Sequence, residues 1–214
     1  LFSLFNFRAT ILVGSESKNY ISESVQRFGA SRVFSSPTTL GEITRILPES
    51  YSYSKSETHI HCTQGFLYEG QPSVLLSTSG SMGPPKYARL ASHSLATNAS
   101  DISSALGFDF SERAISNLPI SYSYGLSVLN SILLSGGTFG VSRLSIVSRG
   151  FREALDYHGA THLGGVPSSH LQLERIGFFQ SPPKTLRTVT QAGGKLNASK
   201  IREFARQLRL NGAD

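Results

Sequence analysis

The chain of 214 residues holds a single cysteine, Cys62. No intrachain disulfide can form, and a reducing, cytoplasmic setting is expected. The sequence has no run of three Lys or Arg, although its net charge is +6 and its pI is near 9.6. A scattered excess of this kind is a solvated surface, and the basic stripe of a nucleic-acid binder is missing. Long apolar runs are absent as well. Leu1–Val13 is interrupted by Asn6 and Arg8 and falls short of the ~20 apolar residues of a membrane span. Metal-ligand clusters are scarce. His59-Ile60-His61-Cys62 puts two imidazoles at alternate positions of a strand, but no second Cys/His cluster stands at a partnering spacing. We read it as a strand edge and assign no metal site. The sequons at Asn98 and Asn197 fall in helix-like segments and are read as chance matches. Starting at Leu1 without methionine, the chain reads as a piece of a longer protein.

What is present is an alternation of strand and helix signals. The hydrophobic content of 39% is modest but outside the disordered range, and a chain of this length can bury ~70% of its surface. Residues 9–13 and 31–34 read as strands around a helix at 19–29, a β-α-β unit with parallel pairing. A short helix is expected at 40–47. The polar stretch 48–58 reads as a linker separating an N-terminal lobe, 1–58, from the remainder, 59–214. Further strands are expected at 66–68, 74–77, 87–90, 113–118, 138–141, 161–166 and 186–191. Helices are expected at 92–106, 125–134, 149–157, 167–176 and 198–210, the last with Ile201, Phe204, Ala205 and Leu208 inward. This pattern predicts an α/β layered sandwich with a mostly parallel sheet flanked by helices. In such folds ligands gather beyond the C-terminal ends of the strands.

One stretch stands out at such an end: Thr78-Ser79-Gly80-Ser81-Met82-Gly83-Pro84-Pro85-Lys86, between the runs Val74–Leu76 and Tyr87–Leu90. Small hydroxyls and glycines let backbone N–H groups approach an oxyanion, and Lys86 adds a point charge suited to phosphate. It is not a Walker A loop. Two residues rather than four separate Gly80 from Gly83, and Tyr87 rather than Ser or Thr follows the lysine. On loop chemistry alone the stretch reads first as a Ser/Gly-rich surface turn.

The wording Thr-Ser-Gly-Ser-x-Gly-x-Pro-Lys resembles the phosphate loop of the adenylate-forming superfamily, which includes acyl-CoA synthetases and peptide-synthetase adenylation domains. Leu90–Leu95, Leu118–Leu126, Thr161–Pro167 and Leu186–Leu196 resemble the segments that follow, in the same order. Together they cover roughly residues 66–210. The resemblance implies that ATP and Mg²⁺ are used to activate a carboxylic acid, a fatty or other acyl group, as its adenylate. The acyl group then passes to a thiol such as CoA or an acyl carrier protein. It implies that Thr78, Ser79, Gly80, Ser81, Gly83 and Lys86 hold phosphates and that Gly193, Gly194 and Lys195 lie beside the nucleotide. It also implies that Tyr122, Tyr124, Val128 and Gly165 line the pocket for the acid.

The departures matter. Tyr122 stands where many relatives carry histidine, Ser121 where they carry an aromatic, and Met82 where they carry Ser or Thr. The family's catalytic lysine and its glutamate for Mg²⁺ have no counterpart in these residues, so the catalytic residues are unassigned and the 214 residues alone are expected to form no adenylate. Other readings stay open from sequence. Tyr122 and Tyr124 fit as core aromatics with satisfied hydroxyls, Gly193-Gly194 as an ordinary turn, and the chain as a non-catalytic nucleotide- or acyl-binding module. His162 and His170 receive no role.

Overall fold

The described strands sort into three sheets in the computed structural model of the chain. It describes residues 10–12, 32–34, 53–55, 59–62, 74–77 and 86–210. The chain divides into two units, Leu1–Ser92 and His93–Asp214.

In the first unit, β1 (Thr10–Leu12) pairs in parallel with β5 (Val74–Ser77), which pairs antiparallel with β6 (Tyr87–Leu90). A second sheet has the order β2 (Arg32–Phe34), β4 (His59–Cys62), β3 (Tyr53–Lys55), antiparallel throughout. The expected β-α-β pairing of the first two strands is therefore incorrect, because they lie in different sheets. Thr-Ile-Leu is uniformly apolar in its last two residues and sets Ile11 and Leu12 opposite Leu75 and Leu76, both buried. Arg-Val-Phe has the same polar-apolar-apolar pattern yet meets His59-Ile60-His61, with Val33 opposite Ile60. Local pattern marks a strand but not its partner. Two further corrections follow. Tyr53–Lys55 is a strand inside the stretch read as a linker, its serines alternating with Tyr53 and Lys55 rather than marking a loop. His59–Cys62 is the middle strand of its sheet, not an edge. The helices expected at 19–29 and 40–47 and the strand at 66–68 lie outside the described residues.

The second unit begins its helices with α1 (Ser92–Leu106), ended by Gly107 at φ +64°. Then come β7 (Arg113–Ser116), α2 (Ser123–Leu134), β8 (Thr138–Val141), α3 (Arg149–Tyr157), β9 (His162–Gly165), α4 (Pro167–Arg175), a 3₁₀ turn (Phe178–Gln180), β10 (Thr188–Gln191) and α5 (Ala198–Leu210). The four strands form one parallel sheet in the order β10-β9-β7-β8. Neighbouring residues of a strand face opposite layers. Ala114 packs with Val128 and Ile132 of α2, whereas Ile115 joins Phe151, Leu155, Leu163, Leu173, Phe179, Phe204 and Leu208 beneath α3, α4 and α5. The layered α/β sandwich is as expected. On α5 the inward stripe is Phe204 and Leu208, with Ala205 half-buried, while Ile201 is 48% exposed rather than inward. The apolar stripe stops a turn short of it, where Lys200 reaches Glu174 of α4 and Glu203 instead.

Polar bonds close the N-terminal edge of this sheet. Buried Glu112 accepts from Arg187 Nη2 at 2.8 Å and from Thr161 Oγ1 at 2.5 Å. Thr161 Oγ1 in turn accepts from the Arg113 N–H at 2.8 Å. The starts of β7, β9 and β10 are thus tied together. No helix among the described residues is long and apolar enough to cross a membrane.

Candidate functional site

The C-terminal edge of the parallel sheet is built differently: glycines and hydrogen-bonding side chains replace packed aliphatics. On β9, His162 and Gly164 share one face and Leu163 and Gly165 the other. Thr190 of β10 stands opposite Gly164. The missing side chain at Gly164 leaves a gap that polar groups fill. A Cβ there would lie 3.1 Å from Tyr124 Oη, 3.4 Å from His162 Cε1 and 3.5 Å from Thr190 Oγ1. Into that gap Thr190 Oγ1 makes two hydrogen bonds, to Tyr124 Oη at 2.7 Å and to His162 Nε2 at 2.8 Å.

The other face carries a second histidine. His170 of α4 donates from Nε2 to the Thr190 carbonyl at 3.0 Å. A Cβ at Gly165 would come within 2.9 Å of the His170 ring, so only glycine at 165 seats that imidazole. Both histidines are buried, at 1% and 2% exposure, and among the described residues neither Nδ1 atom has a hydrogen-bond partner. Burial pushes His162 down to about 4 from the ordinary 6.5. Burial also lowers His170, against the opposing pull of the Thr190 and Gly165 backbone. Burial raises the Tyr124 phenol, partly offset by hydrogen bonding from Thr190 and the Gly165 backbone.

Tyr122 is the N-cap residue of α2 and reaches the corner after β10. A Cβ at Gly193 would lie 2.0 Å from Tyr122 Oη, and Gly193 has φ +78°. Backbone conformation and close approach both demand glycine there. Gln191 Nε2 donates to the Gly194 carbonyl at 2.8 Å and holds the corner in shape. Gly193, Gly194 and Lys195 are exposed, so this backbone is presented outward beside a tyrosine hydroxyl. A flat ring or an acceptor oxygen can be met there by main-chain groups without side-chain obstruction.

The residues singled out from sequence thus divide. Tyr122, Tyr124, Gly165, Gly193 and Gly194 come together at this edge. Lys195 follows the corner. Val128 is buried in the layer with Ala114 and Ile132. Thr78, Ser79, Gly80, Ser81 and Gly83 lie outside the described residues. Lys86 is exposed directly before β6, where Ser77 pairs with Tyr87. His162 and His170, given no role from sequence, also lie here, as does Thr190. The available signal was the alternation His-Leu-Gly and Thr-Val-Thr, which puts like-facing polar groups and a gap on adjacent strands, but only the register between them reveals the cluster. Among the described residues no group of three or more His, Cys, Asp or Glu is placed to hold a metal ion, and no step is assigned to Mg²⁺.

The profile of the AMP-binding enzyme family matches residues 10–211. No curated protein matches. Among solved structures, the chain is similar to o-succinylbenzoate CoA synthetase (MenE) of Bacillus subtilis in complex with the acyl-adenylate intermediate OSB-AMP. The identity is 17% and the TM-score 0.69, over 96% of this chain and 53% of that one. The same enzyme in complex with ATP and magnesium ion gives 17% identity and a TM-score of 0.70 over 96% and 43%. A malonyl-CoA ligase ternary product complex with methylmalonyl-CoA and AMP gives 20% and 0.69 over 97% and 46%. The chain spans about half the length of these structures. With the profile covering nearly the whole chain and the fold shared, this protein belongs to the AMP-binding enzyme family.

Proposed function

We propose that the chain supplies the nucleotide- and acid-binding surface of an ATP-dependent ligase that activates a carboxylic acid as its adenylate. In that reaction a carboxylate oxygen attacks the α-phosphorus of ATP. A new P–O bond forms at the α-phosphorus, its bond to the α,β-bridging oxygen breaks, and pyrophosphate leaves. A thiol, CoA or a carrier protein, then takes the acyl group and releases AMP. Little covalent chemistry falls to the protein, whose work is positioning and charge compensation.

The observation that carries this reading is the exposed Gly193 corner beside Tyr122, set at the C-terminal edge of a parallel sheet, where α/β folds bind ligands. On this reading Gly193, Gly194 and Lys195 meet the nucleotide. Tyr122, Tyr124, Val128 and Gly165 bound the acid. Thr78, Ser79, Gly80, Ser81, Gly83 and Lys86 grip the phosphates. The similar enzymes captured with ATP and magnesium or with an acyl-adenylate support this assignment.

Lys86 gives the sharpest test. Loss of one charge-assisted phosphate contact removes about 1.5–3 kcal/mol, a roughly ten- to hundredfold loss of affinity. Calorimetric titration should show Lys86→Ala binding ATP at least tenfold more weakly than the parent chain. Unchanged affinity would remove the phosphate-loop assignment. In the same preparation, carboxylate-dependent ATP–pyrophosphate exchange should be undetectable, because the 214 residues include no Mg²⁺ carboxylate or catalytic lysine on this reading; robust exchange would contradict it.

A further inference from the structure

The hydrogen bonds at Thr190 have a direction, and it decides what Tyr124 can offer a ligand. Thr190 Oγ1 carries one proton and has two partners, Tyr124 Oη and His162 Nε2. A neutral imidazole carries its proton on one nitrogen only. If that proton sat on Nδ1, a buried N–H would have no acceptor, since Nδ1 has no partner. Orphaned buried N–H groups are rarer than unfilled acceptor sites. The proton therefore sits on Nε2 and is donated to Thr190 Oγ1. Were Tyr124 also to donate to Oγ1, the half-buried Thr190 proton would itself be stranded. Thr190 instead donates to Tyr124 Oη. Every proton in the chain is then used except that of Tyr124, which points away from the relay.

We infer that Tyr124 is a dedicated hydrogen-bond donor to a carboxylate-derived oxygen of the substrate, its direction set by His162 acting through Thr190. Tyr124 touches the ligand in this scheme, and His162 and Thr190 are positioning residues. The inference rests on the reading of this edge as an acid site. Its surroundings select the class of ligand. Half-buried Tyr124, Phe108 and Phe139 pack on Ala114, Val128 and Ile132, and Phe108 meets the His162 ring edge-on at 5.2 Å. Apolar surroundings with one unspent O–H suit a molecule with an apolar body and an acceptor oxygen. It discriminates against an amine, which would bring a donor to a donor. Burial reinforces the role: it keeps the phenol protonated and His162 neutral around pH 7.

The test uses the intact chain and two readouts. Heteronuclear NMR of the imidazole nitrogens should find His162 protonated at Nε2 and bare at Nδ1; the Nδ1–H tautomer would reverse the relay and overturn the inference. In binding measurements with octanoate and its matched amine, octylamine, as probes, the parent should prefer octanoate. Tyr124→Phe should weaken octanoate roughly tenfold or more. Thr190→Val should also weaken it, without touching the ligand, and should leave the His162 tautomer mixed. Octanoate that fails to bind the parent, or that binds Tyr124→Phe equally, overturns the ligand assignment. AMP binding to the parent is measured alongside: its absence would count against the nucleotide site of the proposed function, whereas the tautomer result stands independently.

Discussion

Replacing Phe179 with alanine should lower the stability of the second unit by about 3–5 kcal/mol, the usual range for truncating a buried phenylalanine. Phe179 is 1% exposed. It stacks on Phe204 of α5 at 4.4 Å and 25°, meets Phe178 edge-on at 5.6 Å, and lies 6.2 Å from the His170 ring. One side chain therefore joins the 3₁₀ turn, α4 and α5. Its removal leaves a cavity between two helices whose other contacts hold them apart, so collapse cannot fill it. Each aromatic pair adds ~0.5–1.5 kcal/mol beyond buried area. Because the chain has two units, the effect is best read by native-state amide exchange in β9 and α4. Phe110→Ala, at 81% exposure, is the control and should change stability by less than about 0.5 kcal/mol. Equal effects of the two substitutions would contradict the core described here.

Stability should also fall steeply in mild acid. His162 titrates near 4 in the folded protein against 6.5 ordinarily, because burial opposes its charge. The unfolded chain therefore takes up the proton first. Stability is full above about pH 6.5 and is lost as pH falls towards 4, where the loss levels off. The difference amounts to about 3 kcal/mol at 1.36 kcal/mol per unit, and His170, lowered by the same cause, acts in the same direction. Urea midpoints measured between pH 7 and pH 4.5 should decline, and His162→Gln should flatten part of the slope. A midpoint independent of pH across this window would show that His162 is not held neutral by burial. Asp109, whose carboxyl the Ser111 hydrogen bonds lower, titrates below this window.

Much of the second unit was legible in its sequence. Apolar runs such as Leu163 within His-Leu-Gly-Gly and the helical spacing of Phe151 and Leu155 locate elements without reference to partners. Pro167 at the first turn of α4 and Gly107 after α1 mark ends for stereochemical reasons. Legibility stopped where long-range pairing decides the outcome. Thr10–Leu12 and Arg32–Phe34 both read as strands, yet which sheet each joins depends on residues tens of positions away. Tyr53–Lys55 hid among serines because a middle strand, His59–Cys62, supplies its stability. At the site, Tyr122, Tyr124 and the Gly193 corner were named from wording alone. The two histidines were not, because His162 in a strand and His170 in a helix signal nothing until Thr190 and the β9 glycines are seen to face them.

The central claim is that the edge formed by Tyr122, Gly165 and Gly193 is where the nucleotide binds. Amide chemical-shift mapping of the 214-residue chain during titration with AMP tests it most directly. The perturbed amides should cluster at residues 121–124, 164–167 and 191–195. Shifts concentrated instead at the opposite edge, around Glu112, Thr161 and Arg187, or no shifts at saturating AMP, would contradict it.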